Sequence, residues 1–502
     1  MLQKIRISLA FICFALISLL FLDFTGSLHA WFGWLAKIQL LPAILALNIG
    51  VVITLIILTI IFGRVYCSVI CPLGIFQDVA AWINGRRKKK KYRFSYSPPF
   101  KWLRYGVLWL FVIALIAGIG PAFALLDPYG SYGRIAQNLF APLWTWTNNL
   151  VAYIAERNDS YTFYETDVWL KSLPTFIIAA ITFIVLIVLA WRNGRTYCNT
   201  ICPVGTALGF LSKYSLFRIT IDPKNCNKCS LCARGCKASC INYKEHEVDN
   251  SRCVSCMNCL GKCKHGAISY KLNYVKSNTK PQIEKNKDSR EISIENSRRG
   301  FFSLVSFLAT TSLLKAQEKG DGGLAVIADK KMPNRSTPIV PAGSFSLGNM
   351  TQHCTACQLC VSVCPNQVLR PSSNLATLMQ PEMSYERGYC RPECTKCSQV
   401  CPTGAINKIT SADKSSVQIG HAVFIRQNCT VLADDVKCGN CARHCPSGAI
   451  IMVASNPQIS DSPKVPVVNI ERCIGCGACE SLCPARPFSA IYVEGHERHR
   501  VI

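Results

Sequence analysis

Residues 63–74 are GRVYCSVICPLG, and residues 194–205 are GRTYCNTICPVG. Both segments have the pattern GRxYCxxxCPxG, and each follows a long uncharged stretch, which ends at Phe62 before the first copy and at Trp191 before the second. Cysteines at positions i and i+4 share one face of a helix, so each copy can present both sulfurs in the same direction. The duplication therefore predicts two half-units that bring four thiols together. These thiols belong to Cys67, Cys71, Cys198 and Cys202.

The uncharged stretches indicate a membrane domain. Half of the 502 residues are hydrophobic and only 17% are charged. A bilayer core takes roughly 20 helical residues. Four stretches in the first 200 residues approach or reach that length: Ile7–Leu22, Leu40–Phe62, Gly106–Leu126 and Leu173–Trp191. We therefore predict a four-helix transmembrane domain over residues 1–215, and a wholly soluble enzyme is excluded.

The basic residues predict the orientation of this domain. The loop between the second and third stretches contains Arg86–Arg93 (RRKKKKYR), and such loops stay in the cytoplasm. The loop 127–171 has more acidic than basic residues and is expected on the outer face. The net charge of +26 would also suit nucleic acid, but a basic run between two spans favours contact with lipid. We expect membrane lipid, and no nucleic acid, as the partner of this run.

Most of the thirty cysteines form six closely spaced motifs. Two motifs follow the last span, in a predicted domain over residues 216–275: Cys226, Cys229, Cys232, Cys236 and Cys253, Cys256, Cys259, Cys263. Four more lie in a predicted domain over residues 350–502: Cys354, Cys357, Cys360, Cys364; Cys390, Cys394, Cys397, Cys401; Cys429, Cys438, Cys441, Cys445; and Cys473, Cys476, Cys479, Cys483. In this pattern three cysteines hold one 4Fe-4S cluster and the fourth reaches the partner cluster. Zinc sites use separated CxxC pairs instead. The sequence predicts six 4Fe-4S clusters in two α+β domains of the bacterial-ferredoxin type.

Several cysteines depart from this pattern. Lys237 and Lys264 replace the proline that usually follows the fourth cysteine, and Cys240 is an alternative to Cys236 as a ligand. The spacing is also irregular after Cys390 and Cys429. The four thiols of the GRxYCxxxCPxG repeat are enough for a seventh centre, either a 4Fe-4S cluster or copper. The alternative is that they cap the span ends without metal.

A twin-arginine signal lies in the middle of the chain. A polar linker over residues 276–296 leads into Ser297–Phe302 (SRRGFF) and the short apolar segment 303–314. This segment is too short for a standard span and has the form of an export signal, which we place at residues 297–318. After a second linker, 319–349, the four C-terminal motifs are then expected in the periplasm. The two cluster-binding domains would lie on opposite sides of the membrane.

Together these motifs carry a resemblance to two known families. Residues 1–270 resemble NapH-type membrane ferredoxins, with four spans, paired CxxxCP motifs and a two-cluster tail. Residues 297–490 resemble NapG-type exported ferredoxins, with an SRRxFF signal and four cluster motifs. The resemblance implies a fusion of the two in the bacterial inner membrane. It implies a quinol dehydrogenase that passes electrons to a periplasmic reductase, typically nitrate reductase, or to another periplasmic carrier. A cytoplasmic redox donor is a further expected partner.

Quinol oxidation needs polar groups near the lipid, and the predicted outer loops offer several. The candidates are His29, Gln39, Asp127, Tyr129 and Arg134, with Lys37 beside them. Each could instead be an interfacial anchor. Paired CxxxCP motifs also resemble membrane ferredoxins that reduce a metal or assist enzyme assembly. The alternative function is therefore a maturation factor for a respiratory enzyme.

Overall fold

The computed structural model describes residues 2–23, 25–85, 94–272, 329–459 and 462–502. The predicted linker 276–296 and the predicted signal 297–318 lie outside these residues, as does the basic run Arg86–Arg93. The described chain has a helical domain and two cysteine-rich domains. We call residues 216–272 the first cysteine-rich domain and residues 329–502 the second.

Fourteen α-helices within the described residues form the helical domain. They are α1 (Leu2–Leu22), α2 (Ser27–Phe32), α3 (Trp34–Lys37), α4 (Leu40–Leu45), α5 (Ile49–Phe62), α6 (Val65–Val69), α7 (Pro72–Gly85), α8 (Lys101–Ile116), α9 (Gly120–Leu126), α10 (Pro128–Ile135), α11 (Ala141–Glu156), α12 (Leu173–Asn193), α13 (Thr196–Thr200) and α14 (Pro203–Ser212). A π-helical turn, Ala136–Phe140, joins α10 to α11.

Among the described residues, α1 and α12 are long and apolar enough to cross a membrane. The second and third predicted spans are each interrupted. Leu47 adopts a left-handed backbone conformation (φ 51°) and separates α4 from α5. Gly118 (φ 68°) and the proline near the start of α9 separate α8 from α9. The chain thus turns inside both apolar stretches, which uniform apolar composition does not reveal.

The GRxYCxxxCPxG repeat has the same local structure in both copies. The glycine has positive φ, 76° at Gly63 and 72° at Gly194, and ends α5 or α12. The Tyr-Cys segment then forms the short helices α6 and α13. The proline begins α7 or α14, where its missing N–H needs no partner. The two half-units predicted from the sequence therefore have the same order of elements.

Short antiparallel strand pairs organise both cysteine-rich domains. In the first domain β1 (Phe217–Ile221) pairs with β4 (Ile268–Leu272), and β2 (Ile241–Asn242) pairs with β3 (Glu247–Val248). In the second domain β5 (Leu369–Pro371) pairs with β6 (Pro381–Met383), β8 (Ile450–Ala454) with β9 (Lys464–Val468), and β7 (Val417–Phe424) with β10 (Ile491–Val501). The cysteines lie outside these strands, in loops and short helices.

The two cysteine-rich domains contact opposite ends of the helical domain. The first contacts the start of α1, where Gln3 Nε2 donates to Asn258 Oδ1 at 3.2 Å. The second contacts the chain just beyond the end of α1, where Lys396 Nζ donates to the carbonyl of Thr25 at 2.9 Å. A helix of 21 residues, such as α1, is about 30 Å long. The helices therefore separate the two domains by roughly the thickness of a bilayer core.

Residues 329–349, the described part of the predicted linker 319–349, pack against the second cysteine-rich domain. Arg335 Nη2 forms a buried ion pair with Glu480 Oε1 at 2.6 Å. Lys330 Nζ donates to the carbonyls of Glu480 and Ser481 at 2.7 and 2.8 Å. These partners lie about 150 residues away along the chain, so the sequence alone does not indicate the contact.

Candidate iron-sulfur centres and a buried polar site

The 24 motif cysteines form six groups of four thiols. Centre 1 contains Cys226, Cys229, Cys232 and Cys263, and centre 2 contains Cys236, Cys253, Cys256 and Cys259. Centre 3 contains Cys354, Cys357, Cys360 and Cys401, and centre 4 contains Cys364, Cys390, Cys394 and Cys397. Centre 5 contains Cys429, Cys438, Cys441 and Cys483, and centre 6 contains Cys445, Cys473, Cys476 and Cys479. In every centre the fourth thiol comes from another motif.

The loops that carry these thiols fit a 4Fe-4S cluster. In four motifs the residues on both sides of the second cysteine have positive φ: Lys228 and Ser230, Ser255 and Met257, Ala356 and Gln358, Gly475 and Gly477. Such alternating backbone conformations turn successive N–H groups inward and create a concavity for anionic groups, as at many iron-sulfur sites. The irregular motifs that begin at Cys390 and Cys429 lack this pair of residues.

Backbone N–H groups also reach several ligand sulfurs. Cys354 Sγ accepts from the Ala356 N–H at 3.4 Å, and Cys445 Sγ accepts from the Ala449 N–H at 3.3 Å. Hydrogen bonds of this kind tune the potential of a bound cluster. Within the described residues, no three His, Cys, Asp or Glu side chains are arranged to hold a single metal ion.

Cys240 lies beside centre 2. Its Sγ is 3.6 Å from Cys236 Sγ, and both residues are buried. The hydrogen bond between them lowers the pKa of Cys236 and raises that of Cys240. The directions of the two pKa shifts favour Cys236 over Cys240 as a ligand of centre 2. Cys240 lies within reach as the alternative ligand that the sequence left open.

The four repeat thiols also come together, at the junction of the helical domain and the first cysteine-rich domain. We call Cys67, Cys71, Cys198 and Cys202 the repeat centre. All four are at least 95% buried. Burial raises the pKa of Cys202 well above its usual value, and the neighbouring thiols of Cys198, Cys71 and Cys67 raise it further. Four buried thiols held this closely make the repeat centre a candidate metal centre.

Two buried arginines cross between the half-units at this centre. Arg64 Nη2 donates to the Cys198 carbonyl at 3.2 Å, and Arg195 Nη1 donates to the Cys67 carbonyl at 2.5 Å. A Cβ at Gly74 would collide with the Arg195 guanidinium, and one at Gly205 would collide with that of Arg64. The last glycine of GRxYCxxxCPxG therefore makes room for the arginine of the other copy.

Asp78 connects this centre to the first cysteine-rich domain. Its carboxylate is 2.7 Å from both Arg195 Nε and Lys237 Nζ, and 3.1 Å from Arg6 Nη1. Burial opposes its charge, yet Arg195 and Lys237 hold the pKa of Asp78 well below its usual range. The Arg195 N–H also donates to the Lys237 carbonyl at 2.8 Å. The loop after Cys236 is thereby held against the repeat centre.

A second buried polar cluster lies between the repeat centre and centre 3, around helix α10. We call it the α10 site; it contains Gln39, Tyr66, Asp127, Tyr129, Arg134 and Tyr197. Every residue of α10 is buried. Tyr66 Oη donates to Gln39 Oε1 at 2.9 Å, and Asp127 caps α10 by accepting from the Gly130 N–H at 2.7 Å. Tyr197 is close to both Arg134 and Asp127.

The α10 site contains two donor groups with no partner. Tyr129 Oη and Arg134 Nη1 are buried and form no hydrogen bond with any described residue. A buried donor without a partner costs about 1–3 kcal/mol, so such a pair points to a ligand. Tyr129 is close to Cys357 and Cys401 of centre 3, and Arg134 is close to Cys357 and Cys354. The unpartnered groups thus lie next to a predicted cluster.

The second cysteine-rich domain packs directly on α10. A Cβ at Gly130 would collide with the Thr355 carbonyl, and one at Gly133 would collide with the Cys357 carbonyl. Asn138 Nδ2, one turn beyond α10, donates to Gln358 Oε1 at 3.0 Å. The small residues of DPYGSYGR therefore allow the ligand loop of centre 3 to approach the helix backbone.

The structure brings together four of the five predicted quinol residues: Gln39, Asp127, Tyr129 and Arg134. His29 instead faces Asp23, with its Nδ1 3.4 Å from Asp23 Oδ2, and no contact joins it to the α10 site within the described residues. Burial lowers the pKa of His29 despite the nearby carboxylate. Lys37 is exposed at the end of α3.

Sequence reasoning missed Tyr66 and Tyr197 as members of the α10 site. Both occupy the tyrosine position of the GRxYCxxxCPxG pattern. The available signal was that a tyrosine directly precedes the first cysteine of the CxxxCP motif in both copies. Gln77 was also missed; its Nε2 donates to Cys198 Sγ at 3.2 Å. The corresponding position of the second copy is Leu208, so no repeated pattern points to Gln77.

Comparisons with known proteins agree with iron-sulfur binding. A family described as a 4Fe-4S binding domain matches residues 44–91 and again residues 175–222, which contain the two repeat copies. Families described as 4Fe-4S dicluster domains match residues 353–421 and 436–486. No solved structure matches the chain.

Three curated relatives show where the similarity lies. The ferredoxin-type protein NapF of Escherichia coli is 29% identical over 162 residues, which cover 32% of this chain and 89% of NapF. The ferredoxin-type protein NapH of Haemophilus influenzae is 28% identical over 39% of this chain and 55% of NapH. The methylamine utilization ferredoxin-type protein MauM of Methylobacillus flagellatus is 28% identical over 32% of this chain and 70% of MauM. The chain is thus an iron-sulfur, ferredoxin-type electron-transfer protein related to NapF, NapH and MauM.

Proposed function

We propose that the chain is a quinol dehydrogenase of the bacterial inner membrane that sends electrons to a periplasmic reductase, such as nitrate reductase. The observation that carries this proposal is the α10 site. Two buried donors without partners, Tyr129 Oη and Arg134 Nη1, lie between the repeat centre and centre 3. A quinol has two oxygens that can accept such hydrogen bonds, and its electrons need a nearby acceptor.

The surface of the helical domain supports a membrane location. Large apolar side chains are exposed along its helices, including Phe11 on α1 (70%), Trp109 on α8 (66%) and Ile181 on α12 (57%). Contiguous apolar surface of this kind marks membrane or protein contact. The contacts of the cysteine-rich domains with opposite ends of the helical domain support a position on opposite sides of the membrane. We propose that the first domain lies in the cytoplasm and the second in the periplasm.

At the α10 site the protein residues would bind the quinol and take its protons. Arg134 and Tyr129 donate to the ring oxygens and orient the head group. Asp127, close to Arg134, would accept the two protons in turn, one with each single-electron transfer, and release each to water. Each quinol releases two protons and two electrons. When bound to their thiols, 4Fe-4S clusters accept and pass single electrons. Tyr129 is close to Cys357 of centre 3, which supports centre 3 as the proposed electron acceptor.

The second cysteine-rich domain offers a continuous route away from the α10 site. Cys360 of centre 3 is close to Cys397 of centre 4. The Cys390 N–H of centre 4 donates to the Cys476 carbonyl of centre 6 at 3.0 Å. Centres 6 and 5 share the motifs that end in Cys445 and Cys483. The proposed order is therefore centre 3, centre 4, centre 6 and centre 5.

The repeat centre is proposed as the seventh centre, a 4Fe-4S cluster. Its support is the match of a 4Fe-4S binding family to both repeat copies. Arg64 and Arg195 would offset the negative charge of the four thiolates. Arg64 Nη1 also donates to the Ser251 carbonyl at 3.2 Å, two residues before Cys253 of centre 2. The repeat centre therefore lies between centre 2 and the α10 site.

Menadiol, a soluble quinol analogue, tests the proposal. Purified protein in detergent should be reduced anaerobically by menadiol, and dithionite-reduced protein should be reoxidised by menadione. Visible absorbance and electron paramagnetic resonance report the cluster oxidation state. Absence of exchange in both directions, in protein with full iron content, would exclude the quinol reaction. A maturation factor would instead be needed only while its partner enzyme is assembled.

A further inference from the structure

Centre 1 is the centre of the first cysteine-rich domain that faces solvent. All thirty cysteines lie in the described residues, and Cys229 of centre 1 is the only one that is exposed. The four thiols of centre 2 are buried. Centre 2 is also the side that contacts the repeat, since Asn199 Nδ2 donates to the Ala238 carbonyl at 3.1 Å. The domain thus has an open end at centre 1 and a docked end at centre 2.

Exposed lysines lie next to the centre 1 ligands along the chain. Residues 217–272 contain ten Lys or Arg and four Asp or Glu, a net charge of +6. Four exposed lysines lie in the ligand segments of centre 1: Lys224, Lys228, Lys262 and Lys264. Lys228 directly precedes Cys229, and Lys264 directly follows Cys263. We call these four residues the lysine ring.

The acidic residues of the domain lie outside these segments. Asp249 pairs with Arg252 at 2.7 Å, and Asp222 accepts from the Lys224 and Asn225 N–H groups. Glu245 and Glu247 belong to the β2–β3 hairpin. No Asp or Glu occurs in residues 223–235 or 259–266. The side chains in the ligand segments of centre 1 therefore carry an excess of positive charge.

We infer that an acidic one-electron carrier protein docks on the lysine ring and exchanges electrons with centre 1. The inference rests on the proposed role of the first cysteine-rich domain as a cluster-binding module, but it does not require the quinol site. In the forward step the reduced carrier loses one electron and centre 1 gains one, without a proton or a new bond. The chain would then have a second electron entry, at the opposite end from centre 5.

Charge complementarity and the exposed thiol together favour this partner. Opposite charges accelerate the encounter of two proteins and orient their docking. An anionic lipid surface would also bind lysines, but lipid binding does not require an exposed cluster ligand among them. A carrier must bring its redox group close to a cluster, and Cys229 offers the shortest approach.

Flavodoxin hydroquinone, an acidic one-electron donor, is the probe for this inference. It should reduce the purified full-length protein in a stopped-flow experiment, at a rate that falls as salt rises. Lys228→Glu combined with Lys264→Glu should lower the second-order rate about tenfold at low salt. Wild type and variant should converge at high salt, where charges are screened. Lys408→Glu, an exposed lysine of the second cysteine-rich domain, serves as the matched control and should leave the rate unchanged.

Measured iron content and a milder variant distinguish a docking defect from a failure to assemble the clusters. The combined Lys228→Gln and Lys264→Gln variant should give a smaller decrease in rate at full iron content. An unchanged rate in the charge-reversed variant, or a rate independent of salt in the wild type, would overturn the inference. Loss of binding to anionic lipid vesicles with an unchanged flavodoxin rate would also overturn it, and would assign the lysine ring to the membrane surface. Menadiol reduction tests the quinol proposal separately.

Discussion

Arg64 and Arg195 each hold the backbone of the other half-unit. Arg64 donates to the Cys198 carbonyl at 3.2 Å, and Arg195 donates to the Cys67 carbonyl at 2.5 Å. Each carbonyl belongs to the first cysteine of the opposite CxxxCP motif. The exchange explains why both copies begin with Gly-Arg, and it fixes the relative position of the two cysteine pairs.

Replacement of Arg195 should lower the stability of the protein more than replacement of Arg64. Arg195 also pairs with Asp78 at 2.7 Å, whereas Arg64 Nη1 donates to the neutral Asn199 Oδ1 at 2.9 Å. Arg195→Gln breaks a buried ion pair and should destabilise the protein by about 3 kcal/mol. Arg64→Gln removes charge-assisted hydrogen bonds to neutral acceptors but no ion pair, and should cost about 2 kcal/mol. Thermal unfolding in detergent measures both, and equal losses would contradict the assigned contacts.

Gln77 should tune the repeat centre. Its Nε2 donates to Cys198 Sγ at 3.2 Å, while the second copy has Leu208 at the same position. Hydrogen bonds to ligand sulfur stabilise the reduced cluster. Gln77→Leu should lower the reduction potential of this centre by about 40 mV, which corresponds to about 1 kcal/mol for one electron. A redox titration of the purified protein measures the shift, and no shift would mean that Gln77 does not contact a cluster ligand.

The grouping of thiols across motifs predicts how iron is lost. Cys354 and Cys401 belong to one centre but to different motifs, whereas Cys354 and Cys364 share a motif and belong to two centres. Cys354→Ser with Cys401→Ser should remove about four irons, and Cys354→Ser with Cys364→Ser about eight. Iron analysis of the purified variants distinguishes the two cases. If each motif held its own cluster, the order would be reversed.

The predicted export signal determines on which side of the membrane the second cysteine-rich domain lies. Replacing both Arg298 and Arg299 by Lys should block export by the twin-arginine route. Protease added to spheroplasts should then digest residues 350–502 in the wild type and spare them in the variant. Equal digestion of this region in both strains would contradict the signal assignment. The predicted cytoplasmic loop, Arg86–Arg93, is the internal control, because it should stay protected in both.

The sequence predicted features that depend on local spacing. The CxxxCP repeat indicated that four thiols would meet. The segment DPYGSYGR was predicted as part of an outer loop, and it forms the buried helix α10 instead. Iron-sulfur binding and the relationship to Nap-type ferredoxins are supported by the comparisons. These features follow from residues that are close along the chain, where geometry restricts the outcome.

Features that depend on distant contacts were not predictable in this way. Gln39 joins the α10 site through Tyr66, 27 positions away, and His29 turns to Asp23 instead. The fourth ligand of each centre comes from another motif, so its identity depends on how two loops pack. Left-handed residues such as Leu47 interrupt apolar stretches whose composition gives no sign of a turn.

Tyr129 gives the most direct test of the central proposal, because its Oη has no partner within the described protein. Tyr129→Phe removes only this donor, so thermal stability and iron content should be unchanged. Reduction by menadiol in anaerobic stopped-flow experiments should slow about tenfold, since one hydrogen bond to the quinol is lost. Tyr132→Phe on the same helix is the control: it loses a bond to Ser18 Oγ, so it should lower stability and keep the menadiol rate. An unchanged menadiol rate in Tyr129→Phe at full iron content would contradict a quinol site at α10.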